Sequence, residues 1–317
     1  MGVEIPSYRR AAEQFSDLTH VNLSKSNLSR LVDEYGGKLV ALQAAEAEAM
    51  IKVPRAAEEE EVRQRHVPEP ASNCLNISMD GALIHIRGEG WKEVKIATVS
   101  AVTHPVEAAS GEWAMHLTQH SYRAGLWEAA EFAKQQWAEA CNRGVEKAPY
   151  LSSVNDGAAW IWNITRMCYG RCVEILDWWH AVERLWLIAH QHFGAEAPAA
   201  ALWVAQQKQL LADSDLRQVL HNVRQLFPSG DALPPSVRQA VVYLFHNRWR
   251  MRYKEFRAAG YPIGSGSVEA ACKVVAQTRL KQAGMRWSRP AAQAVLALRT
   301  FLVGDRWQLA ASSLDLA

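Results

Sequence analysis

The chain has few of the features that would assign it to a specialised class. Among its 317 residues are five cysteines (Cys74, Cys141, Cys168, Cys172, Cys272), with no CxxC pair and no Cys/His group at zinc-finger spacing. That pattern excludes a disulfide framework and a zinc module, and the thiols are read as free in a reducing cytoplasm. No run of about 18 apolar residues exists, so no membrane span and no membrane partner are expected. The amino terminus MGVEIPSYRR lacks the apolar core of a signal peptide. Charge of one sign is missing too: 35 Lys and Arg against 33 Asp and Glu give +2, so affinity for a polyanion has to come from the distribution of charge. What is present is a 49% hydrophobic composition, enough for one large domain or two ordinary ones, and 13 tryptophans. A tryptophan is a core residue first, and stacking on bases is the sharper alternative.

The amino-terminal region, 1–65, reads as helical. Ala11, Ala12, Phe15 and Leu18 share a face, and after Thr19-His20 a second helix starts at Asn22-Leu23-Ser24 and is expected to stop at Gly36-Gly37. This is the outline of a helix-turn-helix, with Ser24 as N-cap and Lys25, Asn27, Ser29 and Arg30 on the exposed side of the second helix. Helical pairs of this kind also occur without DNA. Lys38 to about Arg65 continues as helix, its acidic middle Glu58 to Glu61 read as a solvated connector.

After a linker, 66–73, the period falls from about 3.6 to 2, and a first core part, 74–197, begins. Leu75, Ile77 and Met79 alternate with Asn76, Ser78 and Asp80, which places Asp80 on the polar face of a first strand. Trp91 to Ser100 and Trp113 to His120 predict two more strands, and Gly125 to Cys141 an amphipathic helix. Leu151 to Leu185 then reads as strand, acid, helix, strand, acid, helix. Asp156, in the turn Asn155-Asp156-Gly157, and Asp177, before Trp178-Trp179-His180, each end a strand. In an open α/β sheet that edge is where sites form. The interval 198–258 reads as helices only, including Ser236 to Phe256, and 259–305 as further helices.

The β-β-β-α-β-α-β-α order predicts a mixed α/β, ribonuclease H-like core with an all-helical insertion, preceded by the helix-turn-helix region. MDG around Asp80, GWKEVKIATV at 90–99, NDGAAWIW around Asp156, ILDWWHAVERLW at 175–186, and RMRYKEFRAAGYPIGSGSVEAACKVVAQTRLKQAGMRWS at 250–288 carry a resemblance. The chain resembles a DDE transposase of the bacterial insertion-sequence ISKra group, more distantly a Mutator-type transposase, over about 72–302. The resemblance implies a bacterial, nucleoid-associated protein that binds double-stranded DNA, at its element's ends and at a target, as a homo-oligomer, and catalyses cleavage and strand transfer. Members of the group carry more sequence before the helix-turn-helix, so a short or truncated form is expected. The alternatives are an inactive or domesticated DNA-binding protein and a ribonuclease H-like nuclease without strand transfer.

Carboxylates converging on one sheet edge suit two Mg²⁺ ions, about 3.5–4 Å apart, with Mn²⁺ as a substitute. Strand position offers Asp80 and Asp156 as two of the ligands. Glu269, in the first turn of a helix after the turn Gly264-Ser265-Gly266, read as flexible, fits either a metal ligand or an N3 residue reaching back to the helix start. The resemblance makes it the third catalytic acid. Asp177 is either an N-cap or a competitor for the second acid, and by resemblance Asp177 and His180 form an accessory motif. From His246 to Arg289, ten Lys and Arg stand against Glu255 and Glu269, a local +8. Arg248, Arg250, Arg252, Lys254, Lys273, Arg279, Lys281 and Arg286 are thus candidates for phosphate contact. Arg248 with Arg252, and Trp249 with Tyr253, are expected to share helical faces.

Overall fold

The structure, a computed structural model, describes residues 1–51, 67–107, 113–228 and 233–314; the Glu58 to Glu61 run lies outside them. Among the described residues, two helices precede the sheet. In α1 (Tyr8–Thr19), Ser7 caps the first turn by accepting from Arg10 N at 3.2 Å, and His20 closes the helix in the left-handed region at φ 57°. In α2 (Lys25–Ile51), Ser24 Oγ accepts from Asn27 N at 3.1 Å, the expected N-cap.

The expected stop at Gly36-Gly37 is not observed, because α2 runs straight through both glycines. A Cβ built on Gly36 would come within 2.6 Å of Ala294 Cβ and of the Ala294 carbonyl oxygen. Gly36 is there to let two helix backbones approach closely, which in one dimension looks the same as a helix terminator.

Three antiparallel strands follow, β1 (Cys74–Ile86), β2 (Gly90–Glu107) and β3 (Trp113–Gly125). β2 and β3 run past their expected ends at Ser100 and His120. Irregularities between Val99 and Ala101 and between Val102 and Pro105 carry the pairing past Pro105. β4 (Tyr150–Asn155) joins β1 in parallel and β5 (Val173–Leu176) joins β4 in parallel, for the order β3-β2-β1-β4-β5. Parallel pairs need crossovers, here α3 (Ala129–Asn142) into β4 and α4 (Ala159–Cys168) into β5. The protein is therefore mixed α/β with one five-stranded sheet.

Helices cover both faces. Leu75, Ile77 and Met79 of β1 pack with Ala97, Val99, Phe132 and Ile161, under α3 and α4. Ala82, Ile84 and Ile86 pack with Val94, Ile96, Val275, Val295 and Leu39. The β1–β2 register is continuous, so the apolar side of β1 changes faces at Asp80-Gly81 without a bulge. That change puts an acid at the boundary between the two layers.

Beyond β5 come α5 (Trp178–Phe193), α6 (Pro198–Ala212), α7 (Leu216–Leu226) and α8 (Pro235–His246), with their own core around Leu185, Trp203, Val223 and Leu244. The expected helix Ser236 to Phe256 is broken: α8 ends at His246, Arg248–Arg250 form a 3-10 turn, and α9 (Tyr253–Ala258) begins anew. The break turns Arg250 inward onto Glu174 Oε2, at 2.6 Å from Nε, and lets Tyr253 Oη donate to Leu176 O at 3.1 Å. Trp249 and Tyr253 consequently share no face: Trp249 is 70% exposed and Tyr253 is buried.

The carboxyl-terminal layer starts with α10 (Gly266–Ala271), passes through a π-helical segment Cys272–Gln277 into α11 (Thr278–Leu280), and continues as α12 (Arg289–Val303) and α13 (Trp307–Ser313). The π-helical segment presents the carbonyls of Val274 and Val275 to a side-chain donor. Buried Arg299 reaches them, with Nε donating to Val275 O at 2.8 Å and Nη2 to Val274 O and Thr278 Oγ1. Burial and the neighbouring Arg279 charge draw the Arg299 pKa down to about 10. No described helix is long and apolar enough to cross a membrane.

Candidate functional site

The β1–β4 ladder ends at Asn76–Ser152, three residues short of Asn155, and a side chain replaces the missing rungs. Buried Asn155 Oδ1 accepts from Met79 N at 2.7 Å, and its Nδ2 donates to Ser153 Oγ at 2.8 Å. Asp80, one residue after Met79, and Asp156, one after Asn155, are thereby held at the same edge. Asp80 Oδ1 accepts from Gly81 N at 2.6 Å and Oδ2 from the Cys272 thiol at 3.3 Å.

Asp156 folds back on its own turn, its Oδ1 accepting from Ala158 N at 2.9 Å while its carbonyl accepts from the Tyr243 hydroxyl. Gly157 sits at φ 93°, and a Cβ there would come 2.9 Å from Tyr243 Oη. Both facts demand glycine. Asp177, at the end of β5, caps α5 as the N-cap reading expects, with Oδ1 accepting from His180 N at 2.9 Å. Its Oδ2 accepts from Ser265 N at 2.5 Å, and the Ser265 hydroxyl donates to Glu269 Oε1 at 3.0 Å. His180 Nδ1 lies 3.1 Å from Glu183 Oε2.

The electrostatics follow from this crowding. Burial raises the Asp80 pKa above the usual carboxylate range, Gly81 N–H and the Cys272 thiol oppose the shift, and the negative charges of Asp156 and Glu269 add to it. Burial, with Asp80 and Glu269 nearby, likewise pushes the Cys272 thiol up, so it stays protonated and donates. The charges of Asp156 and Glu269 are thus felt at Asp80, as the smallest contributions to its shift. The tightest group among the described residues is a different one: Asp177, His180 and Glu269 each offer a ligand atom within 4.8 Å of the others.

Oxygen and imidazole donors at that spacing fit a hard divalent cation. The repulsion felt by Asp80 is of the kind a cation would relieve. Asp177, His180 and Glu269 could therefore hold a metal ion here.

The basic candidates separate by direction. Lys25, Asn27 and Arg30 are exposed on the first turns of α2, and Arg252, Lys254, Lys273, Lys281 and Arg286 are exposed around the carboxyl-terminal layer. Arg248 is half-buried, stacked 4.5 Å from the Phe245 ring centroid, and Lys281 lies 5.9 Å from that of Trp91. Two arginines read as phosphate contacts turn inward and require correction. Arg250 pairs with Glu174 over the Trp162 ring, and Arg279 is 1% exposed, bonded to Gly2 O and Pro6 O between Tyr8 and Trp287.

At the site Tyr243 and Cys272 went unread in the sequence, and Asn155 and Ser265 were read only as turn residues. Ser265 corrects the expectation of a flexible Gly264-Ser265-Gly266 turn, since it is buried and bonded through both N–H and hydroxyl. The sequence signal for Cys272 is its place three residues after Glu269, on the same helical face. No protein-family model matches the chain, and no curated protein matches it.

Proposed function

We propose that this protein is a metal-dependent DNA-processing enzyme with a ribonuclease H-like core, acting as an insertion-sequence transposase that cleaves phosphodiester bonds and transfers the strand. The observation that carries this reading is that Asn155, next to Asp156, accepts from Met79 N, next to Asp80, while Cys272, three residues after Glu269, donates to Asp80 Oδ2, so the segments bearing the three acids meet. The mixed five-stranded sheet, with three antiparallel strands followed by two parallel ones, is compatible with the ribonuclease H-like core proposed here and supports the same reading.

Asp80, Asp156 and Glu269 are the residues proposed to hold Mg²⁺, or Mn²⁺ in its place, as two ions, with Asp177 and His180 beside them. Bound there, the metal would activate water or a 3′-hydroxyl and neutralise charge on the leaving oxygen. The protein's own part is positioning. Asn155 sets the two aspartates side by side, Cys272 fixes the rotamer of Asp80, and Tyr243 fixes the turn that carries Asp156. Double-stranded DNA would run over the exposed cations, Lys25 and Arg30 with Asn27 on one side and Lys273, Lys281 and Arg286 on the other, and pairing two DNA ends calls for a homo-oligomer.

The test is cleavage and strand transfer with Mg²⁺ or Mn²⁺ on labelled DNA bearing the element's ends. Asp80→Ala, Asp156→Ala and Glu269→Ala are expected to lose chemistry and keep DNA binding, while Asp177→Ala keeps partial activity. Wild-type protein that binds such DNA and never cuts it would make this a DNA-binding protein and sink the enzymatic reading.

A further inference from the structure

Asp177 presents a charge with an unusual setting. It is fully buried and forms no ion pair among the described residues. A buried carboxylate without a cation is costly unless N–H groups satisfy it. Both its oxygens are so engaged: Oδ1 by His180 N at 2.9 Å, Oδ2 by Ser265 N at 2.5 Å. A second strand-like bond lies beside the latter, Trp178 N donating to Ile263 O at 2.9 Å. The two together clip the segment entering α10 onto the end of β5. Asp177 N in turn donates to Asn155 O at 2.8 Å, which ties the clip to β4 and hence to Asp156.

Ser265 carries the constraint onward. Its carbonyl accepts from Val268 N and Glu269 N at 2.9 and 3.2 Å and starts α10, and its hydroxyl donates to Glu269 Oε1 at 3.0 Å. The geometry points to Asp177 as a positioning residue: through Ser265 it sets where α10 begins and how the Glu269 carboxylate is aimed. Although Asp177, His180 and Glu269 each offer a ligand atom within 4.8 Å of the others, the function of Asp177 is to hold Glu269 for the metal and not to bind the metal itself. This rests on the reading of Glu269 as a metal-holding acid.

Two substitutions separate the links. Asp177→Asn keeps an oxygen for His180 N, asparagine being a good N-cap, and sets an NH₂ against Ser265 N–H. Ser265→Ala keeps the clip, which uses the backbone, and removes only the hydroxyl bond to Glu269. Mn²⁺ binding to the full chain without DNA, read from loss of the free-ion paramagnetic resonance signal, is measured for wild type, both variants, their combination and Glu269→Gln. Amide hydrogen exchange is followed over 263–269 and over the first turn of α5.

Groups that orient metal ligands typically contribute about 10–100-fold in affinity. Asp177→Asn is expected to weaken Mn²⁺ binding about tenfold or more, speed exchange over 263–269 and leave the α5 turn protected. Ser265→Ala should weaken binding by a smaller factor with exchange over 263–265 unchanged, and the double variant should be no weaker than Asp177→Asn, since the two act in series. Weaker Mn²⁺ binding by Asp177→Asn with wild-type exchange would make Asp177 a ligand and overturn the proposal, as would single-variant effects that multiply. Glu269→Gln binding Mn²⁺ like wild type would refute the metal reading of Glu269 instead; the clip then stands or falls on the exchange of Asp177→Asn alone. Should Asp177→Asn not fold, Asp177→Ser, which caps α5 but cannot also reach Ser265 N, replaces it.

Discussion

Replacing Arg279 with methionine separates a structural arginine from a DNA contact. Its Nε and Nη2 donate to Gly2 O at 3.3 and 3.2 Å and its Nη1 to Pro6 O at 3.1 Å, with the guanidinium 4.6 and 4.8 Å from the ring centroids of Tyr8 and Trp287. Hydrogen bonds to a charged group contribute about 1.5–3 kcal/mol each and a desolvated cation–π contact about 2 kcal/mol. Methionine recovers part of the packing, and the freed carbonyls of residues 2 and 6 can reach water by local fraying. The net loss should therefore be about 3 kcal/mol, a Tm lower by roughly 5 °C at about 1.5 °C per kcal/mol for a chain of this length. Thermal unfolding by circular dichroism gives the stability, and fluorescence anisotropy with duplex DNA across a salt series, well below Tm, gives the contacts. Affinity and salt slope should match wild type for Arg279→Met. For Lys281→Ala the affinity should fall and the slope decrease by about 1. An Arg279→Met protein with wild-type Tm and a salt slope reduced by about 1 would refute the inward assignment.

Asp80 makes stability depend on pH in a defined sense. Its pKa is raised in the folded state, so between the ordinary carboxylate pKa and the raised value the native protein binds more protons than the unfolded chain. Metal-free protein accordingly loses stability as pH rises through that window. Asp80→Asn should flatten this part of the Tm-against-pH profile and raise Tm at neutral pH, and a profile identical to wild type would count against the burial of Asp80, with the charges of Asp156 and Glu269 beside it, as the cause of its raised pKa. The two adjacent glycines of α2 should respond in opposite directions. A Cβ at Gly36 would overlap Ala294, whereas one at Gly37 meets nothing within 4 Å. In urea unfolding, Gly37→Ala should stabilise by about 0.5–1 kcal/mol, as alanine does in a helix interior, and Gly36→Ala should destabilise despite its better propensity.

Part of this architecture was legible residue by residue. Alternation gave β1 and β2, the Asn155-Asp156-Gly157 turn placed an acid at a strand end, and Asp177 was readable as an N-cap because capping is a local bond between neighbours. The alternation of Leu75, Ile77 and Met79 with Asn76, Ser78 and Asp80 placed Asp80 on a strand, whereas the change of buried face beyond it, to Ala82, Ile84 and Ile86, was recognised only from the packing.

Tertiary structure decided the rest, because a period reports which face of an element is buried and says nothing of what buries it. Arg250 and Lys254 look alike in a basic run, yet Glu174, distant in sequence, draws only Arg250 inward. Gly36 reads as a helix stop until Ala294 lies against it. The company of Glu269 was likewise beyond local reading: β5 ends in Asp177, whose carboxylate accepts an N–H from Ser265 across the fold and so brings α10 to the edge where Asp80 and Asp156 already stand.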